Sequence, residues 1–153
     1  MSSTIWFAPW ASGPAAASVY EGDVTGPAVV SVTQFTPHRS WTAMGVNIAG
    51  VVLRRSWRDV TGALGLWLWV DPDPRRPRSG SVSVWRDERG LKDFVARHDH
   101  VRIMRSYRDR GTTRSALWET ERFDAEATRE AVRSFLSGRS EWPDDPSTGG
   151  GRT

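Results

Sequence analysis

From Ser81 to Trp85 the chain alternates, with Val82 and Val84 on one side and Ser81, Ser83 and Trp85 on the other, the period of two of a half-buried strand. The period then lengthens. Asp87 is placed to cap a helix with Glu88 in its first turn, where a carboxylate meets exposed N–H groups and the positive end of the dipole. Leu91, Phe94, Val95, His98 and Val101 follow on one helical face, and Gly111 is placed as a stop after an arginine-rich last turn. A strand therefore runs straight into a helix over 88–110 that carries two histidines.

The rest of the chain reads in the same two periods. AVVSVTQF (28–35) is a β-branched strand ended by Pro37, with Gln34 on the face of Val30 and Val32. Ser40 caps a helix running to about Asp59, with Trp41, Met44, Ile48 and Val51 or Val52 as its stripe. Gly45 and Gly50 weaken that helix by up to about 1 kcal/mol each and let it approach the sheet closely. ALGLWLWV (63–70) is a strand with Leu64, Leu66, Leu68 and Val70 on one face and Trp67 and Trp69 on the other, stopped by Asp71-Pro72-Asp73-Pro74. A strand over 112–123 sets Ala116, Trp118 and Thr120 against Ser115, Leu117 and Glu119. A last helix, Asp124 to Leu136, carries Ala127, Ala131, Val132, Phe135 and Leu136 and stops at Gly138.

The order is β-α-β-β-α-β with a C-terminal helix, an α+β fold of the ferredoxin-like kind in one domain. Residues 1–27, aromatic at Trp6, Phe7 and Trp10 but without a period, form an arm across the body or a partner subunit; 28–137 is the core; 138–153 reads as a disordered tail. The strand over 63–70 is apolar on both faces. With helices on one side, its second face is expected to meet another sheet, most simply that of a second copy, so a homodimer is expected.

Composition narrows the function classes. There is no cysteine, which excludes disulfides, thiolate catalysis and zinc–thiolate sites. No segment has a signal-peptide layout or a membrane-length apolar run, so the expectation is a cytoplasmic protein that does not engage a membrane. The net charge is +3, but the arginines are interleaved with acids, as in Arg86-Asp87-Glu88-Arg89, rather than gathered in a basic stripe. A nucleic-acid partner is not expected.

The pattern V-S-x-W-x(5)-L-x-x-F-V-x(4)-H followed by a basic run, carried here by Val82, Ser83, Trp85, Leu91, Phe94, Val95 and His100 and then Arg105 and Arg108, resembles the second β-α unit of the dimeric α/β-barrel proteins. It is most similar to the spheroidene-monooxygenase-like branch and related bacterial proteins, and more distantly to antibiotic-biosynthesis and haem-degrading monooxygenases. The motif covers about a fifth of the chain. The resemblance implies a monooxygenase-like enzyme, haem-dependent or cofactor-free, acting on an apolar aromatic or polycyclic natural-product intermediate. It favours His100, whereas the helical wheel groups His98 with Leu91 and Phe94; an irregular turn near 96–99 would reconcile the two. The haem-degrading relatives pair an Asn on the first strand with a helix Trp and a histidine; Gln34 and Phe94 stand nearest the first two here, a departure from that chemistry.

The expected pocket lies between helices and sheet. Trp41, Trp67, Trp69, Phe94 and Trp118 (with Trp85) are its candidate substrate-binding walls, suited to a flat apolar molecule held by a few polar anchors. His100, Trp85 and Gln34 are the candidate catalytic groups. For haem, His100 or His98 would be the axial ligand and Arg105 a propionate partner; otherwise no cofactor is expected. A side-chain metal site is not expected, since His98 and His100 point apart on a helix and His38 is distant. No nucleophile elbow or glycine-rich phosphate loop occurs. A lone helical histidine is more often structural or solvated, and a tryptophan-rich set is as readily a core as a pocket. A cyclase or dehydratase with histidine as general acid–base, and a non-catalytic haem or small-molecule binder, are the competing functions.

Overall fold

Two short strands, β1 (Trp6–Phe7) and β2 (Ala11–Ser12), open the chain, followed by β3 (Ala28–Pro37), β4 (Ala63–Asp71), β5 (Arg78–Trp85) and β6 (Gly111–Thr120). Two helices, α1 (Glu88–Val95) and α2 (Ala125–Leu136), complete the elements used below. The computed structural model describes residues 5–16, 18, 20–39, 50, 54, 55, 57–96, 105 and 109–143. All six strands join in one antiparallel sheet of order β1-β4-β5-β3-β6, with β2 also on β4. The four long strands thus run β4-β5-β3-β6, the ferredoxin-like order, and the fold is α+β.

Local chemistry sets three helix ends where the sequence places the signals. Asp87 accepts from Gly90 N–H at 3.0 Å and Asp124 from Ala127 N–H at 2.8 Å, so both are N-caps. At the other end of α2, Gly138 takes φ +75°, its N–H bonds Phe135 O, and Arg139 N–H bonds Ser134 O. These two bonds satisfy carbonyls that the last turn leaves open. Thr128, not Ala127 or Ala131, joins Val132, Phe135 and Leu136 in the buried stripe of α2; its hydroxyl donates to Asp124 O at 2.7 Å. Gly111 does not stop a helix but begins β6 opposite Pro37. Helix α1 ends at Val95 with Ala96 as its C-cap, well short of 110, although Arg105 is again helical. Most of the helix expected over 40–59 lies outside the described residues; Gly50, Arg54 and Arg55 are helical and Trp57–Asp59 is a 3-10 turn.

Each face of the sheet has its own core. One, the α1 face, packs Val29, Trp57, Val60, Ala63, Leu66, Trp85 and Phe94. The other, the α2 face, buries Val30, Val32, Leu64, Trp67, Trp69, Val82 and Val84 beneath α2 and the arm. Leu64 was expected beside Leu66. A β-bulge between Ala63 and Gly65 adds one residue to β4 and turns Leu64 to the tryptophan side, because each single-residue shift reverses the faces.

The α2 face carries the larger correction. Trp67 and Trp69 are each 1% exposed within the single chain. The arm pairs with the β4 edge (Trp6 with Val70, Ala11 with Leu66) and lays Phe7 and Trp10 against Trp67, while α2 supplies Val132, Phe135 and Leu136. The chain therefore buries both rings itself, and the need for a second sheet to cover them loses its premise. Trp10 fits because Gly65 beneath it has no side chain; a Cβ there would fall 1.7 Å from the indole. The last segment is also not all tail: Trp142 packs on Phe135, 4.8 Å between ring centroids, and against the core. Residues 144–153 lie outside the described set.

Candidate functional site

Strand alternation lays two rows of residues across the α1 face. One row runs Leu66, Ser83, Ser31, Leu117 from β4 to β6; the next runs Leu68, Ser81, Thr33, Ser115. Hydroxyls therefore occupy the centre of the face, flanked by Leu66, Leu68 and Leu117 and, at one corner, by the exposed Ser115. Thr33 Oγ1 and Ser81 Oγ share a hydrogen bond of 2.9 Å, and Ser83 Oγ accepts from the Trp85 indole at 2.9 Å. Ser83 is buried there and Ser31, Thr33 and Ser81 are half-buried; a buried polar side chain is the informative exception to apolar burial. Gly50 lies over this floor: a Cβ on it would sit 3.5 Å from the Leu68 side chain.

One end of the floor is closed by three rings. Trp57, Trp85 and Phe94 stand 5.2–5.4 Å apart between centroids, Trp57 edge-on to both others. Trp57 and Trp85 are fully buried, one from the 3-10 turn and one from the end of β5. The Trp57 indole N–H is buried without a hydrogen-bond partner among the described residues, a cost of about 1–3 kcal/mol.

The residues singled out from the sequence divide between the faces. Trp85 and Phe94 flank the hydroxyl floor. Trp67, Trp69 and Trp118 lie on the α2 face, in or against its core, so they do not line the same space. Gln34 is also there, on the side of Val30 and Val32, where its amide oxygen accepts from Arg78 at 3.0 Å. Gln34 and Trp85 therefore do not act together. Arg105 is exposed. Trp41, His98 and His100 lie outside the described residues. His38 follows β3 and is exposed.

Sequence reasoning missed Trp57 and the pairing of the hydroxyls. The alternation had already put Ser81 and Ser83 together. What it lacked was their partners Ser31 and Thr33, since register between distant strands is not written in either one alone.

The α2 face ends in a polar corner. Gln34 stands directly opposite Arg114 in the β3–β6 ladder and opposite Gly80 in the β3–β5 ladder. Next to it, Arg78 pairs with the buried Asp71 through Nη2 at 2.7 Å and Nε at 3.1 Å, and donates to Leu136 O at 2.9 Å. A cavity of about 510 Å³ opens there, among these residues and the end of α2.

No family model matches the chain, and no curated protein matches it in sequence. Solved structures do share its architecture. A candidate monooxygenase from Lactobacillus acidophilus NCFM has a TM-score of 0.50 at 9% identity, over 62% of this chain and 44% of that one. SnoaB, a cofactor-independent oxygenase from Streptomyces nogalater, has a TM-score of 0.49 at 19% identity, over 64% of this chain and 96% of that one. A candidate antibiotic biosynthesis monooxygenase from Bacillus cereus has a TM-score of 0.42 at 13% identity, over 65% of this chain and 98% of that one. Likeness at such identities is likeness of fold.

Proposed function

We propose that this chain is a monooxygenase-like enzyme that holds a flat, apolar aromatic or polycyclic substrate against the α1 face of its sheet. The observation that carries the reading is the hydroxyl floor: Ser31, Thr33, Ser81 and Ser83 at the centre of a face bounded by Leu66, Leu68, Leu117, Trp85 and Phe94. Apolar walls with a few placed polar groups are what a polycyclic phenol requires, the walls burying its rings and the hydroxyls fixing its oxygens. The motif around Trp85 and Phe94 and the candidate monooxygenase of like fold supply the reaction class. An electron-rich ring system of this kind reduces oxygen itself once a proton is removed, and His100 is the residue proposed to take that proton. Haem, if bound, would take His100 or His98 as its axial ligand, and both lie outside the described residues.

The test is oxygen uptake by the purified protein with a panel of electron-rich polycyclic phenols. Uptake is expected with at least one of them, lowered by a Thr33→Val/Ser81→Ala pair and abolished by His100→Ala but not His98→Ala, with all variants folded. Conversion without oxygen uptake would move the protein to the cyclases. Saturable binding without turnover would make it a binding protein.

A further inference from the structure

We infer that the polar corner of the α2 face is a second binding site, for a small aryl carboxylate, separate from the hydroxyl floor on the other side of the sheet. The corner interrupts a face that is otherwise mostly apolar. Arg78 has only N–H groups to offer, so the Gln34 amide must turn its oxygen to Arg78, at 3.0 Å. That turns the Gln34 NH₂ away from Arg78, with a single long contact of 3.5 Å to Thr36 Oγ1. Arg78 itself is consumed by Asp71, Gln34 and Leu136 O.

Arg114 is different. Its guanidinium lies over the Trp142 ring, 4.2 Å from the centroid, and among the described residues it pairs with no carboxylate. Directly opposite residues of an antiparallel ladder hold their Cβ atoms about 4.5–5.5 Å apart, and Arg114 and Gln34 both line the same cavity. Phe135 and Trp142, 4.8 Å apart, supply aromatic walls to the same 510 Å³ cavity. A planar guanidinium beside an amide N–H matches a carboxylate, and two rings beside them match an aryl body. Glu141 is also on the wall and exposed, a like charge that lowers the affinity for an anion, and less so at high salt.

The probe is phenylacetate, with its neutral counterpart phenylacetamide, titrated at millimolar concentrations by calorimetry and by NMR shifts of the Gln34 side-chain amide. Saturable one-to-one binding of phenylacetate is expected, at least about tenfold tighter than phenylacetamide and weakened at least about tenfold by Arg114→Gln, since a charged hydrogen bond carries that much. Arg114 is exposed, so this variant is expected to fold. Arg89→Gln, an equal change of charge at an exposed position of α1 on the opposite face, is expected to leave the affinity unchanged. Lack of saturable binding, equal binding of the amide, or indifference to Arg114→Gln overturns the site and leaves the corner as an anchor for Trp142.

Discussion

Trp67 donates its indole N–H to Glu21 across 3.0 Å, which ties the middle of the sheet to the chain's own N-terminal segment. Arg129 of α2 holds the other Glu21 oxygen at 3.1 Å and places its guanidinium 5.4 Å from the Trp67 ring. Arm, sheet and helix thus meet at one carboxylate. Glu21→Ala leaves the Trp67 N–H without its acceptor and is expected to cost about 1–3 kcal/mol in urea unfolding. Unchanged stability would mean that water replaces the carboxylate at no cost.

The arm guards both the β4 edge and the tryptophans beneath it. Deleting residues 1–16 uncovers an edge strand and an apolar patch together, and self-association is the expected result. Sedimentation velocity compares the deletion with the full chain. An unchanged sedimentation behaviour would show that the arm is not the cover.

Gly65 and Trp10 occupy one space. Gly65→Ala drives a methyl into the indole and is expected to cost about 1–3 kcal/mol. Combining it with Trp10→Leu is expected to cost less than the two single changes summed, because the clash is shared. Strict additivity in thermal or urea unfolding would refute the steric account.

Arg78→Met strands the buried Asp71 without its partner, and about 3–5 kcal/mol of destabilisation is expected. Replacing both, as Arg78→Met/Asp71→Leu, is expected to recover part of that loss. If the double variant is no better than the single, the cost lies in the bonds to Gln34 and Leu136, not in the stranded charge.

Trp142 sets the boundary of the folded C-terminus. A chain ending at Ser140 lacks the ring that packs on Phe135 and lies under Arg114, and it is expected to melt several degrees below one ending at Pro143. Equal melting temperatures would return Trp142 to the tail.

Much of this was written along the chain. Periods of two and of helical length located the four long strands and the start of α1, and Asp87, Asp124 and Gly138 marked helix ends through bonds within a few residues of themselves. Alternation also put Gln34 with Val30 and Val32, and Trp85 with Ser83. What the period could not carry was any relation between distant segments. That Ser31 and Thr33 lie beside Ser83 and Ser81 depends on register across β3 and β5. A one-residue bulge, invisible in the pattern of β4, moved Leu64 to the other face. The two-sided apolar strand correctly required a cover, but burial is non-directional and does not specify which surface supplies it. An aperiodic arm and a helix of the same chain met that requirement, because Gly65 leaves room for Trp10 and Glu21 has a partner in both Trp67 and Arg129.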